Sequence, residues 1–294
     1  MTPRSPSLPA PKTLEDSAKY YAQLFAECFQ DTQDLMRLYM AKREEIRKKN
    51  PIWIAGTMEE KFDRVDARVG IFTKQVNNLI TTGFHHVLYN KSLCDINWLK
   101  ANIHANYSSH LSVMEKQFDN CFKFVAQQCF QSMFHLMESS FRVFIKHLHP
   151  NGIILATGKF QPIYSALFKR LNIKDRQERI KLMEFMSAIR NTMHNNWYYM
   201  PPSSKPKERA LIFKIGPFSL FWNKSKLIEQ AEMKEFDYKG KSYKLIPNES
   251  INFITWKMIM AFAKDLLEIF DEIVSHKDVI SIPEIIEERF PSDE

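Results

Sequence analysis

Glycine is scarce in this 294-residue chain: there are 7, against 23 phenylalanines and 14 methionines. A turn-dense β-sandwich, a Gly-rich dinucleotide fold and a P-loop enzyme all need glycine where the backbone turns tightly or approaches phosphate, so the composition disfavours each of them. Cysteine is scarcer still. Cys28, Cys94, Cys121 and Cys129 are too few and too scattered for a disulfide framework, and no two stand as a CxxC zinc or redox pair. Reduced, structural thiols are the expectation. Nowhere do 18 apolar residues run together, and the opening segment MTPRSPSLPAPK holds four prolines and no apolar stretch. Neither a signal peptide nor a membrane anchor is expected; the reading is a cytoplasmic protein with no membrane partner.

What is present is ordinary globular composition, 45% hydrophobic and 26% charged, enough to bury one large core or two modest ones. The formal net charge of +7 is unevenly spread. Residues 205–246 hold 10 basic and 5 acidic side chains, and residues 247–294 hold 4 and 11. A basic body against an acidic C-terminal stretch permits a polyanionic partner without requiring one, because most lysines simply solvate a helix face.

The apolar spacing is mostly helical. Residues 1–11 are Pro/Ser-rich and expected to be disordered. A helix from Thr13 carries Leu24, Cys28, Leu35, Leu38 and Tyr39 on one stripe and ends at the basic run before Pro51. A second, from Met58 to about Thr82, should be capped by Gly83. Residues 93–148 predict one or two aromatic-rich helices, broken by His149-Pro150-Asn151-Gly152. A small helix spans Pro162 to Arg170, and Asn172, with Asp175 three residues on, predicts the N-cap of a helix over about 173–197.

After Pro201-Pro202 the period changes to two. Leu211 to Ile215 and Phe218 to Trp222 read as paired strands, a helical patch follows around 224–234, and Tyr238-Lys239-Gly240-Lys241 reads as a tight hairpin. A long helix carries Ile251, Ile254, Met258, Phe262, Leu266, Phe270 and Ile273, and an acidic helix follows Pro283. The fold class is mainly α: a helical bundle with a small β-hairpin insert between the last long helices. Three regions are expected: the disordered 1–11, an N-terminal helical region over 12–100 that shares the core or forms its own, and a bundle over 101–294 with a basic insert at about 205–246.

One constellation could carry chemistry. In Ala188-Ile189-Arg190-Asn191-Thr192-Met193-His194-Asn195-Asn196, a guanidinium and an imidazole stand four residues apart near a helix end. At about 100° per residue they lie within roughly 40° of one another and can act on one substrate atom. Leu182, Phe185, Met186, Ile189, Met193 and Trp197 form the apolar stripe beside them, with Ser187, Asn191 and Asn195 on the polar side.

Arg190-Asn191 followed by His194 resembles the signature of the HEPN superfamily (higher eukaryotes and prokaryotes nucleotide-binding): an Arg, commonly followed by Asn, then a His after four to six residues, late in a helical bundle. Here three residues intervene, one fewer than usual. The resemblance covers at most residues 110–276. It implies a metal-independent endoribonuclease, a homodimer with paired motifs, acting as a toxin or defence effector with RNA as substrate and an antitoxin or regulatory protein as partner. It assigns Arg190 to clamping phosphate and transition state, His194 to general acid or base, and Asn191 to orientation, with 2′,3′-cyclic phosphate and 5′-hydroxyl products and no cofactor. Those residue types suit that chemistry: an imidazole titrates near neutrality and a guanidinium stays charged.

The alternative is a non-catalytic helical module for a protein or nucleotide, in which Arg190 and His194 complement the helix dipole and Asn195 and Asn196 cap it. The insert interleaves lysines with aromatics, and Lys214, Trp222, Lys239, Lys241 and Tyr243 are its candidate RNA-binding residues. Its rings could equally pack down on the bundle. No metal site is expected: His147/His149, His85/His86 and His135/Glu138 lack helical His-x3-His spacing or repeated acidic partners.

Overall fold

The computed structural model describes residues 13–53, 66–97, 101, 111–194, 212–215, 218–221, 233–245 and 254–285. They divide into two compact units, the first from residues 1–176 and 254–294, the second from 177–253.

The first unit is helical. Helix α1 (Leu14–Lys49) opens with a capping box, in which the Asp16 amide donates to Thr13 Oγ1 at 3.0 Å and the Thr13 amide donates to Asp16 Oδ2 at 3.1 Å. Its last turn is basic, matching the negative end of the helix dipole, and it stops at Asn50 ahead of Pro51. Next come α2 (Ala67–Asn78), a π-helical stretch Leu79–His85, and α3 (His86–Ser92). The Gly83 cap is therefore corrected: the chain runs helical through it. A Cβ on Gly83 would stand 2.9 Å from Thr32 Cγ2, and Thr32 Oγ1 donates to the Gly83 carbonyl at 3.1 Å. Glycine is there to let α1 approach.

Helix α4 (Leu111–Leu148) buries a stripe of Phe118, Phe122, Val125, Cys129, Met133 and Met137 and ends at the expected breaker. The apolar segment after it is a short helix, α5 (Gly152–Thr157), and α6 (Phe160–Arg170) follows. Asn172 does not cap the next helix; it ends α6. With φ of 47° it takes the left-handed conformation, its amide donates to Lys169 O at 3.3 Å, and the Ile173 amide donates to Phe168 O at 3.0 Å. That is a Schellman termination, and asparagine tolerates the conformation better than most residues.

Helix α8 (Trp256–Ser275; α7 and the strands are described below) buries Met258, Phe262, Leu266, Phe270 and Ile273, with Thr255 as N-cap, and α9 (Lys277–Ile280) follows. The expected acidic helix after Pro283 lies outside the described residues beyond 285. Aromatic pairs tie these helices into one core: Phe25 with Phe122, Phe72 with Phe270, Phe130 with Phe262, and Phe141 with Phe168. Tyr39 Oη donates to the Ala263 carbonyl at 2.8 Å, so the helices of residues 14–92 and the last long helix share that core. The fold is mainly α, as the sequence predicts, and among the described residues the β structure is confined to two antiparallel hairpins.

Candidate functional site

In the second unit, helix α7 (Arg176–His194) is shorter at its start than the spacing predicts, because residues 172–175 turn with Asn172 and Asp175 at positive φ. Leu182, Met183, Phe185, Met186, Ile189 and Met193 are buried, so the apolar stripe is the core face. Thr192 is buried as well and donates to the Ile189 carbonyl at 2.6 Å. Arg190 is half-buried and Asn191 exposed, and Arg190 Nη1 donates to Asn191 Oδ1 at 3.2 Å. His194 is the last residue of α7, one turn beyond Arg190. Asn195, Asn196 and Trp197 lie outside the described residues.

Strands β1 (Ile212–Ile215) and β2 (Phe218–Phe221) pair antiparallel, with Lys214 opposite Ser219. Trp222 and most of the expected helical patch at 224–234 lie outside the described residues; its last residue, Lys234, begins a strand instead. Strands β3 (Lys234–Tyr238) and β4 (Lys241–Leu245) form the predicted tight hairpin. Its two-residue loop, Lys239 and Gly240 at φ of 48° and 73°, takes both positive values that a type I′ turn requires.

The pleat separates the hairpin's two faces. Phe236, Tyr238 and Tyr243 turn toward α7, where their ring centroids lie 5.0, 6.1 and 5.3 Å from that of Phe185. The opposite face carries Glu235, Asp237, Ser242 and Lys244, with Lys244 Nζ 3.8 Å from Glu235 Oε1 and the Ser242 hydroxyl donating to Glu235. Lys239 and Lys241 are exposed at the tip, and Lys239 Nζ lies 5.4 Å from the Tyr238 ring centroid. The structure thus brings Arg190 and Asn191 together on α7, and seats Tyr243 against Phe185 of the same helix.

Periodicity does not reveal a buried polar cluster in the first unit. Arg68 is wholly buried and all five of its guanidinium N–H groups are used. Nε and Nη2 donate to the Asp66 carboxylate at 2.9 and 2.7 Å, Nη1 to the carbonyls of Val279 and Ile282 at 2.8 and 2.7 Å, and Nη2 to that of Pro283 at 3.2 Å. Asp66 also accepts from the Ile285 amide at 3.0 Å, and the guanidinium lies over the Trp53 ring at 3.7 Å. The spacing of Asp66 and Arg68 gives no signal of this burial, because the carbonyl acceptors come from more than 200 residues away. With every donor satisfied, this cluster does structural work.

Other reactive groups are quiet. Cys28, Cys94, Cys121 and Cys129 are free, and burial raises every thiol, Cys94 to about 12 and Cys129 to about 11. Buried, protonated thiols are poor nucleophiles. Among the described residues no group of three or more His, Cys, Asp or Glu could hold a metal ion, and no helix is long and apolar enough to cross a membrane. Comparison with family models, with curated proteins and with solved structures finds no match to this chain.

Proposed function

We propose that this chain is a HEPN-like, metal-independent endoribonuclease, a cytoplasmic toxin or defence effector held in check by an antitoxin or regulatory protein. The observation that supports this reading is the end of α7: a half-buried Arg190 whose Nη1 donates to Asn191 Oδ1, with a histidine one turn further along the same helix. In that reading Arg190 grips a non-bridging phosphate oxygen and offsets the charge that accumulates on the phosphorane. His194 takes the proton as the ribose 2′-oxygen attacks phosphorus. The bond to the 5′-oxygen breaks, and that oxygen receives a proton from the second histidine of a homodimer, leaving 2′,3′-cyclic phosphate and 5′-hydroxyl ends.

A second reading rests on the same location. Arg190 and His194 stand in the last turn or so of α7, where cations complement the helix dipole, so both residues also suit a non-catalytic binding module. Incubation with mixed RNA in EDTA separates the two. The nuclease reading expects cleavage by the unmutated chain and a loss of about 100-fold or more in Arg190→Ala and in His194→Ala, each with unchanged circular dichroism. A folded, unmutated dimer that leaves RNA intact, or variants as active as the parent, would favour the binding module.

A further inference from the structure

Resting on the nuclease reading, we infer that the β3–β4 hairpin contacts RNA through its tip lysines and the sugar-phosphate backbone alone, and reads no base. Lysines interleaved with aromatics in one segment would ordinarily suit single strands, with rings stacking on bases while ammonium groups follow phosphates. The tertiary structure separates those roles. All three rings of the hairpin, Phe236, Tyr238 and Tyr243, gather around Phe185 of α7, so they hold the hairpin to its helix.

The face turned away from α7 is no substitute, since Glu235 pairs with Lys244 there and Lys181 of α7 is within electrostatic reach of Asp237. Paired charges of that kind give a polyanion no net attraction. At the tip, Lys239 and Lys241 are both exposed and flank Gly240. The type I′ geometry holds the two ammonium stems at the end of a two-stranded ribbon, an arrangement suited to adjacent phosphates and blind to the bases attached to them.

The test is fluorescence anisotropy of the full chain carrying His194→Ala, which leaves probes uncut, with an oligouridine and an abasic ribose-phosphate oligomer of equal length over a series of salt concentrations. The double variant Lys239→Ala/Lys241→Ala should weaken both probes alike and reduce the magnitude of the salt slope by about 1.4 on these single strands. Tyr243→Leu, provided its melting curve remains cooperative, should bind both probes as the parent does. Selective loss of oligouridine in Tyr243→Leu would overturn the proposal in favour of stacking, and an unaltered salt slope in the lysine variant would remove the hairpin from the interface. Either result leaves the nuclease reading standing if the chain with His194 intact cleaves RNA; absence of cleavage by that chain together with absence of binding by the His194→Ala chain overturns the two together.

Discussion

Arg68 shows how much one residue can be asked to hold. A charge taken fully out of water is stable only when its partners are complete, and here a bidentate carboxylate, three carbonyls and an indole face supply them. Removing one partner leaves the other charge buried and unpaired. Asp66→Ala is therefore expected to lower unfolding stability by about 3–5 kcal/mol, read as a shifted urea midpoint. A loss below about 1 kcal/mol, the worth of an exposed pair, would show that the cluster is solvated.

At the same scale, the placing of Arg190 and His194 one turn apart on one helix was legible because four-residue spacing is local geometry. Tyr243 was not, since a ring that stacks on a base and a ring that packs on Phe185 look the same in a string of letters.

Among the elements, α1, α4, α6 and α8 and the breaker at His149-Pro150-Asn151-Gly152 followed from the sequence pattern, whereas the stop expected at Gly83 and the N-cap expected at Asn172 did not. Asn172 closes α6 where an N-cap is predicted, and both uses call for the same short polar side chain. Gly83 sits inside a continuous helix against Thr32, and Gly152 is needed for an equally specific approach, where a Cβ would come within 2.2 Å of the Ile145 carbonyl oxygen. Helix α5 turns back against the end of α4 at that point, and Arg142 Nη1 holds its far end by donating to the Ala156 and Gly158 carbonyls at 2.5 and 2.9 Å. Gly152→Ala should then cost about 1–3 kcal/mol through enforced backbone movement. Gly158→Ala, with its nearest atom at 3.3 Å, should cost less, and thermal unfolding of the two variants side by side checks the difference.

For the molecule as a whole, the long-range closures decide stability. The Ala67 amide donates to the Ile285 carbonyl at 2.8 Å and the Ile285 amide returns to Asp66, joining positions 219 residues apart. A chain ended at Ser281 loses the Ile282 and Pro283 carbonyls and the Ile285 amide from the Asp66–Arg68 cluster. Its stability should fall by about 2 kcal/mol or more, with earlier urea unfolding, while β3–β4 packing in the other unit should be unaffected in its Tyr fluorescence. Equal midpoints for the shortened and full chains would show that the closing segment carries no stability.

Helical class, the apolar stripes, the tight hairpin with its Lys239-Gly240 turn and the Arg190–His194 spacing were all determined by the sequence itself. Each depends on residues within about one or two turns of one another, where backbone periodicity alone sets who is neighbour to whom. Only the tertiary structure decided which polar residues are buried and which way the hairpin's rings face. Those outcomes depend on partners brought from across the chain: carbonyls near residue 280 for Arg68, and a helix some 50 residues earlier for Phe236 and Tyr243. In the proposed reading, phosphate chemistry falls to side chains on α7, since scarce glycine disfavours a loop that cradles phosphate. What those side chains meet is set by packing, and packing is written in no single segment.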